Sequence, residues 1–355
     1  MLNTNRDVSI KKKAYHFLRR LTSQRFRQEV KGRVWQLRSK FAPLLKAWYG
    51  TYDTAELEVE LRAHLPTDFE ILMAHTSISD MQPMYQGTAR GLVELLLRLA
   101  GPERTLAMPA FFFGSPELYN RAYYRRHARF DVRRTPSQMG LVTELFRRWP
   151  GVMRSLHPTH SVCAVGPLAY ELLATHHLSL WACGELSPFG IMGQRKTAIV
   201  GLGTEYYRSL TQVHSAEEVL GDQFPVAREP EEPVRVDLVD PTGRVIPYEM
   251  SRPVSRRVVL KLERLRDFAS PGDIDEWTFK GTTLYVTTAA KVDGAVRGAA
   301  RRDTVRATLV RERNAFRLIA ECNGLRRPAI RRADRNAPST FRSEPHYEKT
   351  SSRHA

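Results

Sequence analysis

The chain has 355 residues, 42% of them hydrophobic, enough for one large or two ordinary domains with a real core. No uninterrupted apolar run approaches the roughly 20 residues of a membrane span; even Leu95-Leu96-Leu97-Arg98-Leu99-Ala100 carries an arginine. The net charge of +17 is uneven: residues 1–50 hold thirteen basic against two acidic side chains, 51–70 lean acidic, and 271–355 are again basic. A nucleic-acid enzyme more often gathers charge around its working cleft, so the excess reads as a property of the two ends and nucleic acid is not an expected partner.

In chain order, residues 9–48 read as helix. Val30, Val34, Leu37, Phe41, Leu44 and Trp48 recur at spacings of four and three on one face, with Lys31, Arg33, Arg38 and Lys40 on others. Pro43 should kink or end this helix near Ala42. Such a basic amphipathic helix ordinarily packs on its own domain or a sister subunit; the alternative is an anionic membrane surface.

From residue 69 short strands and helices alternate. Residues 69–74 read as a buried strand ending in His75-Thr76-Ser77, 84–100 as a helix and 104–109 as a second strand. Residues 140–149 read as a helix and 161–165 as a strand feeding a helix at 167–175. Residues 196–200 form a further strand leading through Gly201-Leu202-Gly203 into a helix with His214 and Glu217. This alternation predicts an α/β fold, a central mixed sheet with helices on both faces. A Pro- and charge-rich stretch at 227–233 precedes a hairpin of 234–239 and 244–249 turning on Asp240-Pro241-Thr242-Gly243. A helix near 255–266 and strands near 277–288 follow. The expected organisation is a basic helical extension (1–68), a catalytic domain (69–300: core 69–222, hairpin and substrate side 223–300) and a basic, largely disordered tail (301–355).

Three cysteines, Cys163, Cys183 and Cys322, form neither a disulfide framework nor a zinc pattern, so a reducing cytoplasm is expected, with peripheral membrane contact through the first helix as the variant. Residues 11–20 lack the apolar core of a signal peptide. No phosphate-binding loop, dinucleotide fingerprint, nucleophile elbow or clustered metal set is present, and no metal is expected.

The densest polar chemistry is Arg154-Ser155-Leu156-His157-Pro158-Thr159-His160-Ser161, just before a buried strand, where α/β folds bind ligands. A polar turn satisfied by its own backbone fits the spacing equally well. His214 and Glu217, three apart on a helix, share a face, and a carboxylate beside an imidazole orients it and favours its protonated form. Imidazole takes a proton near neutral pH, which suits a base acting on a nucleophile brought by the substrate. His75-Thr76-Ser77 suits an oxyanion or phosphate, or equally a plain strand cap. Met108-Pro109, Phe111-Phe112-Phe113 and Tyr123-Tyr124 read as core or cleft wall.

These blocks together resemble the aminoglycoside 3-N-acetyltransferase family. The strand ending in His75-Thr76-Ser77, Met108-Pro109, Phe130-Asp131 through Thr135-Pro136-Ser137, Arg154 to Gly166, Gly184 through Ser187-Pro188, Gly201-Leu202-Gly203 and His214 to Glu217 follow the family's order over about residues 70–220. The resemblance implies acetyl transfer from the co-substrate acetyl-coenzyme A to a primary amine of an aminoglycoside or other amino sugar. It assigns His214 as general base and Glu217 as its orienting partner, with His157 among the catalytic candidates. His75, Thr76, Ser77, Met108, Arg154, Ser155 and Ser161 would line the thioester and pantetheine channel. Ser251-Arg252-Pro253-Val254-Ser255-Arg256-Arg257 stands where the resemblance leads one to expect acidic residues, which favours an acceptor less cationic than an aminoglycoside. A non-catalytic scaffold working through its basic N-terminal helix is the alternative from another class.

Overall fold

Strands buried on both faces read as unbroken apolar runs rather than alternating ones, and the computed structural model of the chain places those runs in one sheet. It describes residues 32–33, 36–179, 181–224, 229–230, 232–251, 253–254, 258–260, 262–301 and 310–312. Ten strands build the two larger sheets: β1 (Ile71–Thr76), β2 (Thr105–Pro109), β3 (Arg129–Asp131), β4 (Met153–Arg154), β5 (Val162–Val165), β6 (Thr197–Leu202), β7 (Val234–Val239), β8 (Val245–Met250), β9 (Asp275–Phe279) and β10 (Thr282–Thr288). The seven-stranded sheet runs β9-β10-β6-β1-β2-β5-β4, and the smaller one β3-β7-β8. β1 lies parallel to β2 and β6, and the outer pairs are antiparallel, so the sheet is mixed as expected.

The longer helices are α1 (Ala42–Tyr49), α2 (Thr54–His64), α3 (Ala89–Ala100), α4 (Leu141–Arg147), α5 (Ala169–Ala174), α6 (Pro188–Gln194), α7 (Gln212–Leu220) and α8 (Ala289–Arg301). The period of two along β1 sorts its side chains. Leu72 and Ala74 meet Leu57 and Leu61 of α2, the Leu92–Leu99 face of α3 and Phe146 of α4. Ile71 and Met73 join the opposite core with Leu172 of α5, Met192 of α6, Val213 of α7 and Val292 of α8. Each fully buried Leu, Ile or Phe contributes roughly 1.5–3 kcal/mol, so the two faces together fix the sheet.

Local chemistry sets the ends. The α3 helix starts at Ala89 rather than 84 because Thr88 Oγ1 accepts from Gly91 N at 2.9 Å and caps it there. In α2, Glu56 N donates to Asp53 Oδ1 at 2.9 Å while Asp53 N donates to Glu56 Oε2 at 3.1 Å, a reciprocal cap. Trp277 Nε1 donates to Glu60 at 2.8 Å and stacks on His64, so α2 closes over the edge strand β9. The Asp240 turn forms as read: Asp240 Oδ1 accepts from Thr242 N and Arg244 N at 2.8 and 3.0 Å.

The expected helix at 255–266 is not what forms. Residues 258–260, with two β-branched valines, form a strand paired with 310–312, and a 3₁₀ turn spans Leu262–Asp267. The helix predicted over 9–48 is helical at 32–33 and 36–40, turns at Phe41 and restarts as α1 with Pro43 in its first turn; residues 9–31 and 34–35, Val34 of the stripe among them, lie outside the described residues. So do Arg252, residues 255–257 and nearly all of the expected tail.

Candidate active site

Ligands in open α/β sheets bind outside the C-terminal ends of parallel strands. Here β1 and β6 end side by side: Ser77 N donates to Leu202 O at 2.8 Å. Gly203 permits this approach, and Gly201 permits that of β10 on the other side of β6. A Cβ on Gly203, which has φ +70°, would collide with Ser77 O, and one on Gly201 would enter the Tyr285 ring. His75 is buried, and burial pushes its pKa down to about 4, so it is neutral at physiological pH. The Thr76 hydroxyl is shielded and without a partner among the described residues. Ser77 Oγ donates to Asp80 Oδ2 at 2.6 Å.

Arg154 is buried under β5. Its Nε donates to Ser161 Oγ at 2.9 Å and its NH2 group to Ala110 O at 2.7 Å; NH1 reaches Thr135 O, and the guanidinium lies 5.0 Å over the Phe130 ring. Burial lowers its pKa to about 10, leaving it charged at neutral pH. Ser161 Oγ donates in turn to Ala110 O at 2.8 Å. These contacts fasten β4, β5 and the chain after β2 into one unit. Met108 sits opposite Cys163 in the sheet, wholly buried in the core with α3.

The next residues enclose imidazoles. His157 Nδ1 accepts from His160 N at 2.9 Å and Thr159 N at 3.2 Å, so its proton is on Nε2. That N–H is buried and meets no acceptor among the described residues. The ring stacks on His176 at 4.5 Å and receives the edge of Tyr248 at 5.7 Å. His176 is satisfied at both nitrogens: Nε2 donates to Ala182 O at 2.9 Å and Nδ1 accepts from Ser155 Oγ at 2.8 Å. Burial, reinforced by neighbouring imidazoles, holds His157 well below the usual histidine range. Burial likewise takes His176 to about 3. Neither takes up a proton near neutrality. Phe111 and Phe113, expected as wall, pack on His160.

The pair on α7 differs. His214 Nδ1 lies 3.3 Å from Glu217 Oε2, and the imidazole is 42% exposed. The helix is fastened by Gln212, whose Nε2 donates to Phe189 O at 3.0 Å and Asp293 Oδ1 at 3.2 Å. Burial raises the Asp293 carboxyl to about 6.

Glu218, the next residue, accepts from Cys183 N at 2.6 Å. The Tyr248 phenol is held above its usual range by burial and then by the Glu218 charge. Ala182 O and Cys183 N thus join His176 to α7. The structure therefore brings Ser155, His157 and His176 into one cluster with Tyr248, tied to α7 through Glu218, whereas His75-Thr76-Ser77 belongs to the β1–β6 ends and Met108 to the core. Sequence reading missed His176, Glu218 and Tyr248. Tyr248 had a signal, its inward place in the alternation of β8; the others are joined only by tertiary contacts.

Residues 73–270, which span both strand ends, the histidine cluster and α7, match the family model described as aminoglycoside 3-N-acetyltransferase. The chain belongs to this family. An aminoglycoside N(3)-acetyltransferase III from Salmonella sp is 31% identical over 233 residues, 62% of this chain and 73% of the relative. A Serratia marcescens aminoglycoside N(3)-acetyltransferase III is 29% identical, covering 62% and 78%. Among solved structures, AAC-IIIb in binary complex with CoASH superposes with a TM-score of 0.58 at 20% identity, covering 71% of this chain and 97% of that one. Sisomicin-bound AAC-VIa gives 0.56 at 21%, covering 71% and 99%. At those identities the likeness concerns the fold. By family the protein is an acyltransferase.

Proposed function

We propose that this acyltransferase moves acetyl from acetyl-coenzyme A to a primary amine of an aminoglycoside or related amino sugar, with His214 as general base and Glu217 orienting it. The observation that carries the assignment is the contrast in burial: His75, His157 and His176 are buried and held neutral, while the His214 side chain is 42% exposed and has a carboxylate on its own helix face. The attacking amine must lose a proton as its nitrogen bonds to the thioester carbon. His214 takes that proton, Glu217 stabilises the imidazolium, and the coenzyme thiolate leaves as the tetrahedral carbon collapses. A positioned base supplies about 10²–10⁴-fold.

The thioester oxygen gains charge in the same step and needs fixed donors. His157 Nε2–H, neutral, buried and unspent, is such a donor, and its stacking on His176 and hold on two backbone N–H groups fix its direction. Thr76 Oγ1, equally unspent, supports a place for the β1 end beside the acyl group. Arg154 and Ser161, bonded to the chain's own carbonyls, would shape the wall of the thioester channel, and Ser155 would hold His176. The CoASH complex of AAC-IIIb and the names of the relatives favour acetyl-coenzyme A as donor and an aminoglycoside amine as acceptor.

A competing imidazole is His177, half-buried, whose Nδ1 is shielded without a partner among the described residues. Thiol release from acetyl-coenzyme A, screened across aminoglycosides, amino sugars and nucleotide-linked amino sugars, tests the reaction and acceptor together. Comparing His214→Ala with His177→Ala assigns the base. Full turnover in His214→Ala removes it from the mechanism.

A further inference from the structure

We propose that α1, with the helical residues 36–40 before it, is a contact surface for an anionic lipid bilayer. Leu37, Phe41, Leu44 and Trp48 recur at spacings of four, three and four, and they are 55%, 52%, 64% and 79% exposed. Elsewhere the exposed large apolar residues, such as Val59, Tyr170 and Val245, are spread along the chain, which is ordinary for a soluble surface. Four bulky side chains in line over three turns, ending in a tryptophan, make a patch rather than a scatter.

The helix is held to the domain by a different face. Arg38 donates to Asp80 O at 3.1 Å and Gln82 O at 2.8 Å, and Leu45 packs on the core beside α2 and α3. The stripe is left over once that docking is complete. Lys40 is exposed on this helical segment, Arg33 is exposed shortly before it in the chain, and residues 1–50 carry thirteen basic against two acidic side chains. Charge decides the occupant. A second copy would bring a like-charged segment against this one and be repelled. A leaflet of anionic headgroups attracts it while accepting leucine, phenylalanine and tryptophan at the acyl boundary.

The docking also gives the contact an orientation. The Asp80 that Arg38 grips accepts from Ser77 Oγ, at the end of β1. A bilayer under α1 therefore lies at a set angle to the β1 end. The proposal does not depend on which amine is acetylated.

The test is flotation of the full chain with vesicles of phosphatidylcholine alone and of phosphatidylcholine mixed with phosphatidylglycerol. Association with the mixed vesicles only, released by salt, is expected. The variant Leu44→Glu/Trp48→Glu should lower that association about tenfold or more while its thermal midpoint and thiol release stay at wild-type values. No flotation, equal flotation on both vesicles, or an unaffected variant overturns the proposal. So does a lipid-free dimer in sedimentation velocity that the variant splits, since a second copy would then own the stripe.

Discussion

Two histidine regions of this chain look alike in sequence and behave oppositely in structure. The His157 and His176 rings are buried, stacked on each other and fixed by hydrogen bonds, and burial keeps both imidazoles from charging. On α7 the His214 ring is 42% exposed, with the Glu217 carboxylate 3.3 Å away. The first region can offer an N–H donor in a constant direction. Under the proposed mechanism the second takes the proton of the attacking amine. Residue type alone does not separate a donor from a base; desolvation does.

The largest expected effect breaks that contrast at α7: His214→Ala should cost about 10²–10⁴-fold in kcat for thiol release, with a thermal midpoint close to wild type because the side chain is half out in solvent. In the buried region the order should reverse in kind. His157→Ala leaves the N–H groups of Thr159 and His160 unpaired and opens a cavity against His176, so stability should drop by about 2–4 kcal/mol in urea unfolding. A loss of activity without that destabilisation would show that its role is purely chemical.

A third effect sharpens the comparison through pH. Unfolded histidine titrates near 6.5, whereas His75 waits until about 4 and His176 until about 3. Their contribution is complete above pH 6.5 and is lost as the pH falls toward those values, at about 1.4 kcal/mol per pH unit for each imidazole. Urea midpoints at pH 7, 6 and 5 should fall steeply, and His75→Asn should remove one imidazole's share of the slope. A flat profile would contradict the burial argument.

The smallest effect has the opposite sign. Asp293 is raised from 3.8 to about 6 by burial, so its cost grows as the pH rises from about 4 to 6 and is complete above. Asp293→Asn should therefore gain about 1–2 kcal/mol at pH 8 and nothing at pH 4. Equal gains at both values would locate the effect in packing instead.

The central strands were legible because both faces of β1, β2 and β6 are covered, which leaves unbroken apolar runs in the sequence. The β7–β8 hairpin was legible because alternation meets an Asp-Pro-Thr-Gly turn. The helix at Ala289–Arg301 was not, since its short Ala- and Gly-rich face is defined by what it packs on, Val213 and Ala216 of α7. At the candidate site, His214 and Glu217 were readable as a spacing of three. The stacking of His157 on His176, the reach of Glu218 to Cys183 and the entry of Tyr248 join residues tens of positions apart, and no local pattern encodes them. Arg154 shows the converse: a dense polar motif in sequence, it is occupied by carbonyls of its own chain.

One pairing has a practical corollary. Leu284 to Thr288 of β10 bond along β6, the strand beside β1, although they lie beyond residue 270 where the family pattern stops. A fragment trimmed at that boundary would bare a row of unpaired amides and carbonyls along a greasy central strand, an invitation to cross-chain zippering. The last stretch of the sheet is thus insurance against clumping, and expression pieces should keep it.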